Sequence, residues 1–337
     1  MNTIPIKTGI LSFGMSGKVF HAPFLQAHPG FELTAVVERS EKKAAHFYPE
    51  IKSYDSVDAL LADPEIELVV VTTPTPTHFE FALKALQAGK HVLQEKAFAT
   101  TSELAFKLFK EARERKLHIL PYQNRRFDAD FLSTRQVLDT GQLGKMVEVH
   151  VRFDRFRPEI GPKVFKETLV PGSGLMFDLG PHMLDQVLST FGIPSSWTKT
   201  LGSNREKTLV DDYVHFHLEY PQGLQVFVTA NLLVVDVQPA YVLHGSKGSY
   251  VKHRTDVQEK QLLAGMDPGN PLYGMEETGS EGLLSIASSD GAIHRSKLPL
   301  MKSSYMGLFD AVYRSIRLDE PYFVTEEQVL QQLRMLE

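Results

Sequence analysis

The chain contains no cysteine, which excludes disulfides, thiolate metal sites and a cysteine nucleophile. Long apolar runs are missing too, and no stretch approaches the ~20 residues that a membrane span needs. Met1 to Lys7 lacks a basic region followed by an apolar run, so no signal peptide is expected and the cytoplasm is the expected compartment. Nor is there an excess of positive charge. Thirty-six basic residues against 41 acidic ones leave a net charge of -5, without global attraction to nucleic acid or an anionic membrane. Internal repeats and low-complexity tracts are absent.

What is present is the composition of a globular protein, 42% hydrophobic and 23% charged. The length of 337 residues exceeds one ordinary core, so two domains are expected. The first ~125 residues alternate short apolar runs with amphipathic stretches. Strands are expected at Thr8 to Ser12, Phe31 to Glu38, Ile66 to Thr73, His91 to Glu95 and Leu117 to Tyr122, with helices after Ser16 and over Thr77 to Ala88 and Thr101 to Lys116. This alternation implies a parallel sheet with right-handed crossovers, a Rossmann dinucleotide-binding domain over 1–125. Beyond it the pattern changes to alternating strands at Val147 to Arg157, Tyr213 to Tyr220, Leu224 to Leu233 and Ala240 to His244. With the helix Leu175 to Phe191 and two terminal helices, from Ser303 and Thr325, they imply an α+β domain over 126–337 for substrate binding and oligomerisation, with an open, mainly antiparallel sheet. Residues 254–295 read as a long loop.

The turn Ser12-Phe13-Gly14-Met15-Ser16-Gly17 stands where a dinucleotide fingerprint belongs, and these residues are candidates for the cofactor phosphates. Gly14 would admit the pyrophosphate and Gly17 would let helix and strand pack closely. Glu38, 24 residues after Gly14, is placed to accept hydrogen bonds from the adenosine ribose. Arg39 beside it suits a 2′-phosphate, so NAD and NADP both stay open.

Lys96 closes the strand His91 to Glu95 and points toward the crevice where such sheets bind ligands; it is either a surface charge or a catalytic group. Asp178 and His182, four residues apart, share a helix face, where a carboxylate can orient or charge an imidazole. His182 suits a general base for a hydroxyl proton, and Lys96 suits stabilisation of the alkoxide. Such an Asp–His pair is more often structural, but Gly180-Pro181 between the two implies a local bend.

With the glycine turn, Thr73-Pro74-Thr75-Pro76-Thr77-His78, Glu95-Lys96 and Asp178-Leu179-Gly180-Pro181-His182, nearly the whole chain resembles the Gfo/Idh/MocA oxidoreductases. Tyr122-Gln123-Asn124-Arg125-Arg126-Phe127, Arg155-Phe156-Arg157-Pro158-Glu159 and Phe177 to Gly180 look most like the NADP-linked scyllo-inositol dehydrogenase branch. The resemblance implies Lys96, Asp178 and His182 as the catalytic trio, with Thr73, Pro74, His78, Glu95 and Gln123 near the cofactor. Ser12 departs from the family's usual glycine, and Ala97 from the proline of its Glu-Lys-Pro motif. A cis bond after Lys96 would cost ~3–4 kcal/mol with alanine there.

For the substrate, Asn124 and Arg125 lie at the crevice mouth, and Phe153, Arg155 and Arg157 share one face by period-two alternation. The arginines suit hydroxyls or an acidic group, and an outward charged face is the alternative. His215 and His217 have the spacing of a metal pair but no companions, so no metal is expected. The expected activity is NAD(P)-dependent hydride transfer to or from a secondary alcohol of a polyol, inositol or sugar. The alternatives are a non-catalytic NAD(P) sensor and a reductase of a non-carbohydrate substrate. Phe216, Leu218, Val226 and Val228 are expected on an open sheet face that forms a homodimer or homotetramer. The stripe Val329, Leu330, Leu333 and Leu336 is expected to dock the last helix, with its natural end beyond Glu337.

Overall fold

The computed structural model describes residues 4–161 and 164–337. Contacts divide the chain into two compact units. The first is built on a parallel sheet: β1 (Ile6–Ile10), β2 (Phe31–Val37), β3 (Lys52–Tyr54), β4 (Leu68–Val71), β5 (His91–Gln94) and β6 (Ile119–Pro121), in the order β3-β2-β1-β4-β5-β6. Every residue of β4 is buried, as its unbroken apolar run Leu-Val-Val-Val requires in a sheet covered on both faces. Helices α1 (Ala22–Ala27), α2 (Val57–Leu61), α3 (His78–Gln87) and α4 (Ser102–Arg115) follow strands in turn. Thr101 starts α4 by accepting a hydrogen bond from the Leu104 amide at 3.2 Å, and its buried stripe is Ala105, Leu108, Phe109 and Ala112. The strand order reverses direction at β1 and β4, which makes their carboxyl ends the ligand-binding edge of such a sheet.

The second unit holds α5 (Ala129–Asp139), α6 (Val164–Glu167), α7 (Gly174–Phe191) and an eight-stranded sheet. Its strands are β7 (Met146–Asp154), β8 (Ser196–Gly202), β9 (Tyr213–Glu219), β10 (Gln225–Asn231), β11 (Tyr241–Gly245), β12 (Gly248–Lys252), β13 (Leu283–Ala287) and β14 (Ile293–Lys297). They run β14-β13-β12-β11-β7-β10-β9-β8, antiparallel except where β7 meets β10. The helix α7 lies against β7, β9 and β10.

Three expectations are corrected here. Phe216, Leu218, Val226 and Val228 are fully buried within this unit, on the face shared with Val149 and Val151. Alternation sorts residues onto two faces without saying which one a helix covers, and α7 takes the more apolar face. The opposite face carries His150, His215, His217 and Phe227. Residues 254–295 are not one loop: they include α8 (Gln258–Leu263), β13 and β14. β14 is exposed throughout and polar, so it shows no alternation of its own. The strand expected to reach Arg157 ends at Asp154.

Segments 260–273 and 304–333 belong to the first unit, so the stretch expected as 126–337 is not one contiguous domain. The reason lies in α9 (Met306–Leu318), whose apolar face carries Phe309 onto Phe24, with parallel rings 5.1 Å apart. In α10 (Glu326–Leu336), Val329, Leu333 and Leu336 are buried and Leu330 is half-buried, so the stripe docks. The helix belongs to the first unit through Leu333, where Tyr322 just before it donates to the Pro121 carbonyl at 3.0 Å.

Candidate active site

In the first unit the turn after β1 is tight on one side and open on the other. A Cβ at Gly17 would collide with the Ser12 carbonyl oxygen, whereas one at Gly14 would meet only Ser12 Oγ at 3.5 Å. Thr72 Oγ1 donates to the Ser12 carbonyl at 2.9 Å and ties the turn to the end of β4. Met15 and Gly14 are exposed. Ser16 points inward and donates to Glu95 Oε1.

Glu95 follows β5 and is buried. Its Oε1 also meets His21 Nε2 at 3.0 Å, and Oε2 accepts from the Lys96 amide at 3.0 Å. Burial alone would raise its pKa. The bond to and charge of His21, the Ser16 hydroxyl and the Lys96 charge outweigh burial and bring it down to about 2. Glu95 therefore clamps the phosphate turn to the end of β5. The sequence reasoning missed His21, which is fully buried with its ring 4.1 Å from that of Tyr122. The signal available was a histidine inside the short apolar stretch Val19-Phe20-His21-Ala22 just after the glycine turn.

His78 braces the next two turns. Its Nδ1 lies 2.7 Å from the Ala97 carbonyl oxygen and its Nε2 2.7 Å from that of Thr73. Burial pulls its pKa below the usual histidine value, and a neutral ring donates to only one of the two. Thr73 Oγ1 accepts from Thr77 Oγ1 at 2.8 Å, and Pro74 is exposed. The Lys96–Ala97 bond is cis, with Lys96 half-buried and Ala97 fully buried. Gln123 and Asn124 are buried after β6, and Gln123 Nε2 lies 3.5 Å from Gln332 Oε1.

Glu38, the candidate for the adenosine ribose, is drawn toward its own chain. Its carboxylate is buried: Oε1 accepts from the amides of Lys43 at 2.7 Å and Ala44 at 3.1 Å, and Oε2 from Ser53 Oγ at 2.8 Å. Three of the carboxylate's roughly four acceptor positions are thus taken by the chain itself, two on Oε1 and one on Oε2. Arg39 and Ser40 beside it are exposed, with no side-chain hydrogen bond among the described residues.

In the second unit α7 runs unbroken through Pro181. Asp178 is half-buried on it and accepts from Lys166 Nζ at 2.5 Å, while His182, one turn on, is buried. Gly180 between them has Leu336 against it, where a Cβ would come within 2.9 Å of Leu336 Cδ2. Arg125 is anchored by Asp128 Oδ2 at 3.1 Å and Glu259 Oε2 at 2.8 Å. Asp128 is fully buried, and burial pushes its pKa well up. Phe153 is buried beneath three guanidinium groups: Arg254 at 3.9 Å from the ring centre, Arg155 at 4.8 Å and Arg125 at 5.2 Å. Arg157 is exposed. His215 and His217 are held by Thr229 Oγ1 at 2.9 Å and Gln225 Oε1 at 2.6 Å.

Residues 6–122 match the oxidoreductase family with an NAD-binding Rossmann fold, and residues 131–251 match the GFO/IDH/MocA C-terminal domain. The chain is a member of the Gfo/Idh/MocA oxidoreductase family. Among its relatives is the uncharacterized oxidoreductase YhhX of Escherichia coli, 35% identical over 98% of this chain and 95% of that protein. Another is the scyllo-inositol 2-dehydrogenase (NADP(+)) IolW of Bacillus subtilis, 32% identical over 98% of this chain and 92% of IolW. A solved oxidoreductase structure from Bacillus cereus superposes with a TM-score of 0.90 at 32% identity, covering 98% of this chain and 94% of that one.

The residues of this Gfo/Idh/MocA chain fit the NAD(P) that its Rossmann fold binds. The collision at Gly17 and the open space at Gly14 leave room on the side of the turn away from the sheet, where a pyrophosphate is held by backbone N–H groups in such folds. Ser12, standing for the usual glycine, keeps its carbonyl on Thr72, and its Oγ borders that space, 3.5 Å from where a Gly14 Cβ would lie.

Proposed function

We propose that this oxidoreductase uses NADP(H) to interconvert a secondary alcohol and its ketone on a polyol, inositol or sugar. The observation that carries the reading is the pair on α7, Asp178 one turn before the buried His182, in a chain that also closes β5 with Lys96. NADP(H), when bound, would supply or accept the hydride. His182 takes the hydroxyl proton, and the Asp178 carboxylate favours the charged imidazole that results. Lys96 donates to the same substrate oxygen and stabilises the developing alkoxide. IolW, named for an inositol dehydrogenase, supports the substrate class, and so does the relative named D-glucoside 3-dehydrogenase of Escherichia coli, 30% identical over 58% of this chain.

The choice of NADP rests on Glu38. A carboxylate that serves NAD offers its oxygens to the ribose hydroxyls, and here most of its acceptor capacity is engaged by Lys43, Ala44 and Ser53. Arg39 and Ser40 are then the groups at the end of β2 that meet a 2′-phosphate. The test is turnover on a panel of inositols and sugars with each cofactor. Lys96→Ala should keep NADPH binding by fluorescence titration and lower turnover by ~10²–10⁴-fold. Turnover equal to wild type would remove Lys96 from the mechanism, and tighter binding of NADH than NADPH would remove Arg39 from the site.

The open face of the eight-stranded sheet is proposed to pair with a second copy of the chain. Phe227 is half-buried there with His150, His215 and His217 stacked on it at 5.0, 6.1 and 4.7 Å, an aromatic patch flanked on β7 by the charged Glu148 and Arg152. A monomeric mass by light scattering at micromolar protein would refute this.

A further inference from the structure

Arg155 lies one residue past β7, where the backbone is held on both sides: its amide donates to the Asn231 carbonyl at 2.9 Å, and its carbonyl accepts from the Val234 amide at 3.1 Å. Its guanidinium stacks on the buried Phe153 ring at 4.8 Å, which limits where the head can point. Among the described residues, every other arginine that is not exposed makes a guanidinium hydrogen bond. Arg126 forks onto Asp185 at 2.7 and 2.7 Å, Arg205 holds Glu167, Arg152 holds Asp154, and Arg317 holds Glu67. Arg125 holds Asp128 and Glu259, Arg254 donates to the Arg152 carbonyl, and Arg135 to that of Ser189. Arg155 makes no such bond and no ion pair among the described residues.

The electrostatic setting is incomplete in one direction. Burial, the largest influence, and the like charge of Arg157 pull the Arg155 pKa down to about 10; Asp178 raises it, Arg125 lowers it and Glu259 raises it. The two carboxylates in that field are already claimed, Asp178 by Lys166 and Glu259 by Arg125. A part-buried guanidinium facing like charges, with five donors and no acceptor, is a desolvation cost that a bound anion offsets.

We propose that the substrate of this site carries an anionic group, a carboxylate or a phosphate, and that Arg155 binds it through its unoccupied guanidinium fork. The proposal rests on the oxidoreductase reading given above and narrows its substrate from neutral polyols and sugars to their acidic derivatives. Arg157, exposed and alternate to Arg155, adds long-range attraction without a fixed geometry.

The test compares wild type, Arg155→Met, Arg155→Lys and the exposed control Arg295→Gln. The probes are D-glucuronate, D-glucose 6-phosphate and the neutral myo-inositol and D-glucose. Each is measured by calorimetric binding to the NADPH-loaded protein and, separately, by turnover with NADP+ as the hydride acceptor. Wild type should bind at least one anionic probe ~10–100-fold more tightly than its neutral counterpart. Arg155→Met should abolish that preference, Arg155→Lys should restore part of it, and Arg295→Gln should keep all of it. A preference for glucuronate assigns a carboxylate, and one for the phosphate ester assigns a phosphate. Equal binding of neutral and anionic probes by wild type, or a preference that survives in Arg155→Met, overturns the proposal. The binding arm separates the two readings. Anion binding lost in Arg155→Met without turnover of any probe sustains this inference and counts against the oxidoreductase reading, while turnover of neutral probes indifferent to Arg155 does the reverse.

Discussion

Glu95 in the first unit and Arg155 in the second each stand just beyond a strand, each largely withdrawn from water, yet their charges are met in opposite ways. Glu95 has Ser16, His21 and the Lys96 amide on its two oxygens, and its pKa falls to about 2 despite burial. Arg155 has a ring beneath it and no acceptor among the described residues, and its pKa falls to about 10 because of burial. In the first case the protein completes the charge with its own groups, so the charge serves the architecture. In the second it withholds the partner, so the charge is kept for something that arrives from outside.

Stability measurements sharpen that contrast. Glu95→Ala removes one member of a buried pair and leaves His21 without its carboxylate; it should destabilise the protein at neutral pH by about 3–5 kcal/mol in urea unfolding. The pH dependence has a definite sign. A carboxyl with a depressed folded pKa contributes stability above its ordinary value of 4.5, and this is lost as pH falls from there toward about 2. The gap between wild type and Glu95→Gln should therefore be widest near neutrality and narrow through that window. A gap that is constant with pH would mean that the carboxylate is not the group being stabilised. Glu38→Ala comes next in size, since it frees the amides of Lys43 and Ala44 and the Ser53 hydroxyl: about 1–2 kcal/mol, with NADPH still bound. Arg155→Met should be smallest, within about 0.5 kcal/mol of wild type or slightly stabilising, because no hydrogen-bonded or ionic partner among the described residues is lost and methionine still covers the Phe153 ring. If it destabilises as much as Glu95→Ala, the comparison collapses and Arg155 is structural.

The sequence carried some of this and not the rest. β4 and β5 were legible because buried parallel strands read as unbroken apolar runs, and α4 because its capping threonine and stripe agree. β3 has only three residues, none buried, and left no pattern; β13 and β14 lie toward one edge of the second sheet, where polar side chains replace the alternation. The glycine turn was legible because Gly17 answers a steric demand of the backbone itself. At Glu38 spacing put an acid at the end of β2, but it could not show that two amides five and six residues later set the direction of the carboxylate. The same limit applies to Phe216 and Val228, whose alternation was plain while the identity of the covered face depended on α7.

The stack of Phe309 on Phe24 bears on biosynthesis. The first unit takes its core from stretches nearly three hundred residues apart: Phe24 and Phe31 near the start, Tyr305, Phe309 and Tyr313 near the end. A ribosome making this chain releases the first 124 residues long before α9 exists, so the aromatic side of α1 and β2 must wait in water while the whole second unit is translated. The nascent Rossmann segment is thus a client for chaperones until the last turns of the chain are delivered, and a premature stop before Met306 yields a sheet with one wall missing.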